Sequence, residues 1–157
     1  MAPILDVRNL QTHFFTKSGV LKAVDGVSFQ IGAGEIVGLV GESGSGKSIT
    51  GFSILGLVDA PGRIVGGEIL FKGSDLTKLP AADIQKMRGS KIAMIFQDPM
   101  MTLNPVLRIE TQMIEAIQTH DSSVSKDEAR QRSRDALGLV GISSCLLYTS
   151  PSPRDRG

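Results

Sequence analysis

Gly41-Glu42-Ser43-Gly44-Ser45-Gly46-Lys47-Ser48 fits the pattern G-x-x-x-x-G-K-[ST], and it stands between an apolar run at residues 36–40 and a helix-like run at residues 49–57. A strand before and a helix after is the setting in which this string acts as a phosphate-binding loop. The chemistry accounts for the residue types. A loop that wraps a polyphosphate must bring successive backbone N–H groups to the phosphate oxygens, and glycines allow both the close approach and the positive φ angles. Lys47 supplies a point charge for the β and γ phosphates and Ser48 a hydroxyl for Mg²⁺. The helix that follows aims its positive dipole end at the same anion. Chance supplies such a string in well under roughly one in fifty chains of this length at ordinary glycine usage, so a plain glycine-rich turn is set aside.

Outward from that loop, the chain of 157 residues, 41% of them hydrophobic, suits one domain or a piece of one. A net charge of +1 implies neither nucleic-acid binding nor attraction to a membrane surface. No run of about 18 apolar residues exists and the N-terminus is not a signal peptide, so the chain is expected in the cytosol unless a partner brings it to a membrane. The single cysteine, Cys145, cannot form an internal disulfide, and no metal-ligand cluster is apparent.

Residues 4–15 read as β, a turn follows at Lys17-Ser18-Gly19, and residues 20–24 and 27–31 read as two short strands separated at Asp25-Gly26. Residues 36–40, apolar on both faces, predict a buried strand in the middle of a helix-covered sheet. After the loop helix come Pro61-Gly62 and Gly66-Gly67, a β run at residues 68–72, and a helix from about Pro80, with Ile84 and Met87 on one face, ending at Gly89. Residues 91–97 predict a second buried strand, running into an irregular stretch at 98–105. Ile109, Met113, Ala116 and Ile117 recur at helical spacing as a packing face. Ser125-x-x-Glu128 reads as a capping box opening a helix to about Val140. His13 and His120 are expected at the surface without a role.

The order of a β-rich N-terminus, a Gly-Glu turn, GESGSGKS and a strand ending in IFQDP resembles the nucleotide-binding subunit of ABC transporters. The phrases VGESGSGKS, GRIVGGEILFKG and IAMIFQDPMMTLNPVLRI resemble the ATPase subunits of di- and oligopeptide importers, a group that includes nickel and glutathione importers. The resemblance covers about residues 4–142. It implies an α/β P-loop NTPase fold, an incomplete ABC nucleotide-binding domain with an N-terminal antiparallel β subdomain and the start of the helical subdomain. Gly41, Glu42, Ser43, Gly44, Ser45, Gly46, Lys47 and Ser48 become the Walker A loop for ATP and Mg²⁺. Gln97 becomes the Q-loop glutamine, catalytic through its reach to Mg²⁺ and the attacking water, so Ser48 and Gln97 are the implied metal contacts.

The same resemblance implies an aromatic residue that stacks on adenine upstream of Walker A. Phe14 and Phe15 are the candidates. Neighbours on a strand face opposite ways, so only one can serve; Phe15 is preferred and Phe14 packs inward. The implied partners are a second ATPase subunit, identical or not, and transmembrane permease subunits reached through residues 97–105. No nucleic acid is implied. The implied location is peripheral, on the cytoplasmic face of the inner membrane. The alternatives are a soluble non-transport ABC-type ATPase, or import of nickel or glutathione in place of peptide.

Departures from the family bear on activity. The family's signature sequence, its Walker B strand with the general-base glutamate and its switch histidine do not appear, so ATP hydrolysis is expected of the complete protein and not of this chain. Residues from Cys145 read like the conceptual translation of a transposon-type sequencing-library adapter. The expected organisation is therefore 1–144, the N-terminal portion of the ATP-binding domain, and 145–157, a non-native tail.

Overall fold

A computed structural model describes residues 2–96 and 103–142. The chain divides into two compact units, residues 1–94 and 95–157.

The first unit is built on an antiparallel sheet in the order β2-β1-β3-β4, formed by β1 (Leu5–Thr16), β2 (Gly19–Ile31), β3 (Gly62–Phe71) and the short β4 (Ser74–Asp75). Its core gathers Val7, Leu10, Val24, Ile69, Phe71 and Leu76, with Ile49 and Ile54 of helix α1 (Lys47–Ile54) packed against them. A buried hydroxyl pair, Thr12 Oγ1 and Ser53 Oγ at 2.8 Å, fastens α1 to the sheet. Ser53 also donates to the Ile49 carbonyl at 2.7 Å, which leaves Thr12 as donor to Ser53. At the far end of α1, Arg88 donates to the carbonyls of Leu55 (2.8 Å) and Gly56 (2.6 Å), satisfying groups that a helix C-terminus leaves open. Arg88 follows helix α2 (Ala81–Met87), which has Pro80 at its N-cap and turns Ile84 and Met87 inward, as the sequence predicts.

β-bulges organise the sheet. Between Val7↔Phe29 and Leu10↔Val27, β1 carries one residue more than β2, and Asn9 sits there with φ +46°. Gly26 on β2 and Val65 on β3 restore the count on either side. The shift of phase puts Val7, Leu10 and Thr12 on one buried face although their spacing is not strictly alternate. A further extra residue in β2, Ala23, lies between the pairs Thr12↔Val24 and His13↔Lys22.

Several expectations are corrected. Residues 19–31 form one strand, because the Asp25-Gly26 break is absorbed as a bulge. The β run expected at residues 68–72 starts earlier: β3 begins at Gly62 and runs through Gly66-Gly67 to Phe71. Residues 36–40 and 91–97 are not strands among the described residues. Ile36 and Val40 are 98% and 93% exposed and Ile95 is 94% exposed, while an isolated bridge joins Arg88 and Ile92. A parallel strand exists only through its neighbours, and no described strand pairs with either segment.

The second unit contains α3 (Ile109–His120) and α4 (Lys126–Leu139). They pack through Ile114, Val124 and Ala129, with Ile117 beside them. The buried face of α3 is thus Glu110, Ile114 and Ile117, rotated from the expected stripe; Met113 and Ala116 instead line a groove with Leu103 and Leu107. The rotation follows from an ion pair. Glu110 is buried beside Arg130 of α4, a contact that apolar periodicity does not register. Ser125 caps α4 by accepting from the Glu128 amide at 3.2 Å, and the Glu128 carboxylate turns to Arg132 at 2.6 Å instead of closing the box.

Candidate nucleotide site

The loop at residues 41–46 leads into α1 through two glycines in left-handed backbone, Gly44 at φ +81° and Gly46 at φ +92°. Gly46 is the N-cap of α1 and packs on the bulge in β2: a Cβ there would lie 2.2 Å from the Ala23 carbonyl oxygen. Only a glycine fits. The bulge and the loop are therefore one construction, in which the extra residue in β2 brings a main-chain carbonyl against the last turn of the loop.

Lys47 folds back over the loop. Its ammonium donates to the carbonyls of Gly41 (2.7 Å) and Glu42 (2.6 Å) and reaches the Ser45 hydroxyl at 3.3 Å. The Ser45 amide donates to the Glu42 carbonyl at 3.2 Å, and Thr50 bonds Gly46 O through both its amide (2.8 Å) and its hydroxyl (3.0 Å). The N-terminus of α1 has no side-chain cap and no acidic residue in its first turn. Its positive end is thus unneutralised, and Ser48 lies exposed in the first turn. A glycine-lined loop, an uncapped helix start and an ammonium held on neutral acceptors form a donor set suited to phosphate oxygens. It fits the Walker A reading of Gly41, Glu42, Ser43, Gly44, Ser45, Gly46, Lys47 and Ser48.

The two phenylalanines divide between faces. Phe14 packs against Gly62, close enough that a Cβ on that glycine would meet its ring at 2.6 Å. Phe15 is 39% exposed, and the Arg63 guanidinium carbon stands 4.2 Å from its ring centroid. His13 is not at the surface: its side chain is 13% exposed, its Nε2 has no hydrogen-bond partner, and Asp25 Oδ1 is 3.7 Å away. The Lys22 ammonium, 3.2 Å from Asp25 Oδ2, holds the Asp25 carboxyl below its ordinary range.

Gln97, and with it residues 98–102, lies outside the described residues. The end of that segment is described. Asn104 N donates to Gln112 Oε1 at 2.9 Å, and Gln112 Nε2 returns bonds to the carbonyls of Asn104 (3.0 Å) and Leu107 (3.1 Å). Gln112 thereby clamps the entrance to α3. Sequence reading missed it, as it missed Arg63 and Arg88; an Asn-Pro pair followed by a glutamine in the next helix was the available signal. Among the described residues no group of acidic, histidine or cysteine side chains could hold a metal by itself, and no helix is long and apolar enough to cross a membrane. Any metal contact through Ser48 would be shared with a phosphate.

Comparison with known proteins agrees with this geometry. The oligopeptide transport ATP-binding protein AppD of Bacillus subtilis is 50% identical over 144 residues, covering 91% of this chain and 44% of that protein. The dipeptide transport ATP-binding protein DppD of Escherichia coli is 43% identical over 139 residues, 88% of this chain and 42% of its own length. The chain thus spans less than half the length of these relatives. Among solved structures, the dimeric bacterial ABC transporter cassette MJ0796 superposes with a TM-score of 0.80 at 23% identity, covering 94% of this chain and 61% of that one, which shows the ABC cassette fold. The ABC transporter family profile matches residues 24–151, running into the segment from Cys145 where the sequence reading places no resemblance. With the phosphate loop, the helix behind it and most of the sequence inside that match, the chain belongs to the ABC transporter family of ATP-binding domains.

Proposed function

We propose that the chain is the ATP-binding, phosphate-cradling part of a subunit that powers peptide import. The observation that carries this is the loop itself, seated by Gly46 on the Ala23 carbonyl and opening onto the uncapped start of α1. The names of the relatives support peptide as the cargo. When bound, ATP would supply the polyphosphate, and Mg²⁺ a divalent charge to offset it. The chain's residues then act on that anion. Lys47, released from the Gly41 and Glu42 carbonyls, would hold phosphate oxygens together with the loop amides, and the Ser48 hydroxyl would hold the metal.

Gln97 is proposed to sense the γ phosphate and to contact Mg²⁺ and the attacking water. Residues 97–105 are proposed to carry the ATP state to transmembrane permease subunits, with the Gln112 clamp fixing the far end of the segment. Two such subunits, identical or not, would close on ATP at the cytoplasmic face of the inner membrane, without nucleic acid. The proposal keeps residues 1–144 as the start of the domain and residues 145–157 as adapter-derived. A soluble ATPase of the same family, or an importer of nickel or glutathione, is the competing reading.

The test is nucleotide binding by Lys47→Ala. Charge-assisted bonds are the strong ones, so affinity for ATP should fall at least tenfold. Unchanged affinity would remove the loop from the site. Crosslinking from Met100 or Met101 to permease subunits separates the importer from the soluble reading.

A further inference from the structure

We propose that Arg63 competes with the nucleotide base for the face of Phe15, and so sets how much the base contributes to affinity. The inference rests on the reading that Phe15 stacks on adenine.

Arg63 pairs with His13 in the β1–β3 ladder, and His13 and Phe15 share a face of β1 by alternation. From that position the guanidinium reaches diagonally to Phe15, 4.2 Å from the ring centroid. Its charge has no carboxylate to go to among the described residues. Asp25, which lies close to His13, is taken by Lys22 at 3.2 Å and by His13 at 3.7 Å. The ring face is the contact left for Arg63, and the ring is 39% exposed.

A guanidinium and a purine are both planar, and both stack on an aromatic face. They compete for the same exposed ring. A base arriving on Phe15 must therefore displace Arg63, and its net gain is stacking less the cation–π contact it replaces. The loop that would cradle the phosphates is fastened by contacts that involve neither Arg63 nor Phe15, Gly46 on the Ala23 carbonyl and Ser53 of α1 on Thr12. Arg63 is exposed and substitutable without disturbing the core.

The experiment compares dissociation constants for ATP and for inorganic tripolyphosphate, at one ionic strength, in the whole protein and in its Arg63→Ala and Phe15→Ala variants. Arg63→Ala should tighten ATP roughly two- to five-fold, the worth of an exposed cation–π contact, and leave tripolyphosphate unchanged. Phe15→Ala should abolish the preference for ATP over tripolyphosphate. If Phe15→Ala leaves that preference intact, the ring assignment itself is wrong. If Phe15→Ala removes the preference while Arg63→Ala leaves ATP affinity unchanged, weakens it, or shifts both ligands together, the ring assignment stands and the role of Arg63 is overturned.

Discussion

Replacing Gly46 by alanine tests the joint between sheet and loop on which the nucleotide site depends. Two costs combine. A backbone at φ +92° is left-handed, which costs an L residue about 1–2 kcal/mol. The added Cβ would also fall 2.2 Å from the carbonyl oxygen of Ala23, a main-chain atom of a bulge held on both sides by the paired residues Lys22 and Val24. Pushing it back is an overpacking cost of about 1–3 kcal/mol, for a total of about 2–5 kcal/mol. Gly44→Ala is the matched control: its φ is +81°, but a Cβ there meets nothing within 4 Å, so it should cost only the backbone component of about 1–2 kcal/mol. Urea unfolding of both variants, with ATP titration of each, measures the difference. Gly46→Ala should be the less stable of the two and lose at least tenfold in affinity. Equal destabilisation would refute the claim that the Ala23 bulge seats the loop.

Other predictions concern the supports of the site. Ser53→Ala strips the buried Thr12 hydroxyl of its acceptor and should destabilise by about 1–3 kcal/mol, read by thermal unfolding; a neutral result would mean that the hydroxyl pair does not fasten α1. Burial pushes the Asp75 carboxyl up, but Lys78, the hydroxyl and amide of Thr77 and the Ile69 amide outweigh it and hold the pKa at about 2. A depressed carboxylate contributes stability above its unfolded pKa and loses it as pH falls. About 2 kcal/mol should therefore disappear between pH 4 and pH 2, and Asp75→Asn should flatten that part of a urea-midpoint profile. An unaltered acid slope in the variant would assign the loss elsewhere. Gln112→Ala should speed hydrogen exchange at the Asn104 amide at least tenfold while sparing the Ala129 amide inside α4; protection that persists would show that the clamp is dispensable.

The phosphate loop could be read from the sequence because its chemistry is local: glycine placement, lysine and serine act within eight consecutive residues. Helix α4 was legible for the same reason, through Ser125 and its neighbours. The strands expected at residues 36–40 and 91–97 were not, since apolar residues become a parallel strand only when another strand lies beside them. The bulges at Gly26 and Val65 escaped because a glycine or an extra residue in one strand has meaning only against the count in its partner. The face of α3 was misplaced because Glu110, a residue that pattern reading sends to solvent, is buried on Arg130. Phe15, preferred over Phe14 as the ring to stack on adenine, is 39% exposed, and its neighbour Arg63 could be found only by pairing β1 with β3.

The extra residue at Ala23 also governs where the chain can tolerate changes of length. On the hairpin-tip side, between Phe15 and Val20, residues can be inserted or lost at the Lys17-Ser18 turn without altering the backbone between Ala23 and Gly46. On the other side, deleting the surplus residue itself would slide Lys22 into its place and withdraw the carbonyl against which Gly46 rests. The hairpin tip can therefore change length without touching the cradle, whereas the seat of Gly46 on the Ala23 carbonyl is what sets the cradle's distance from the sheet.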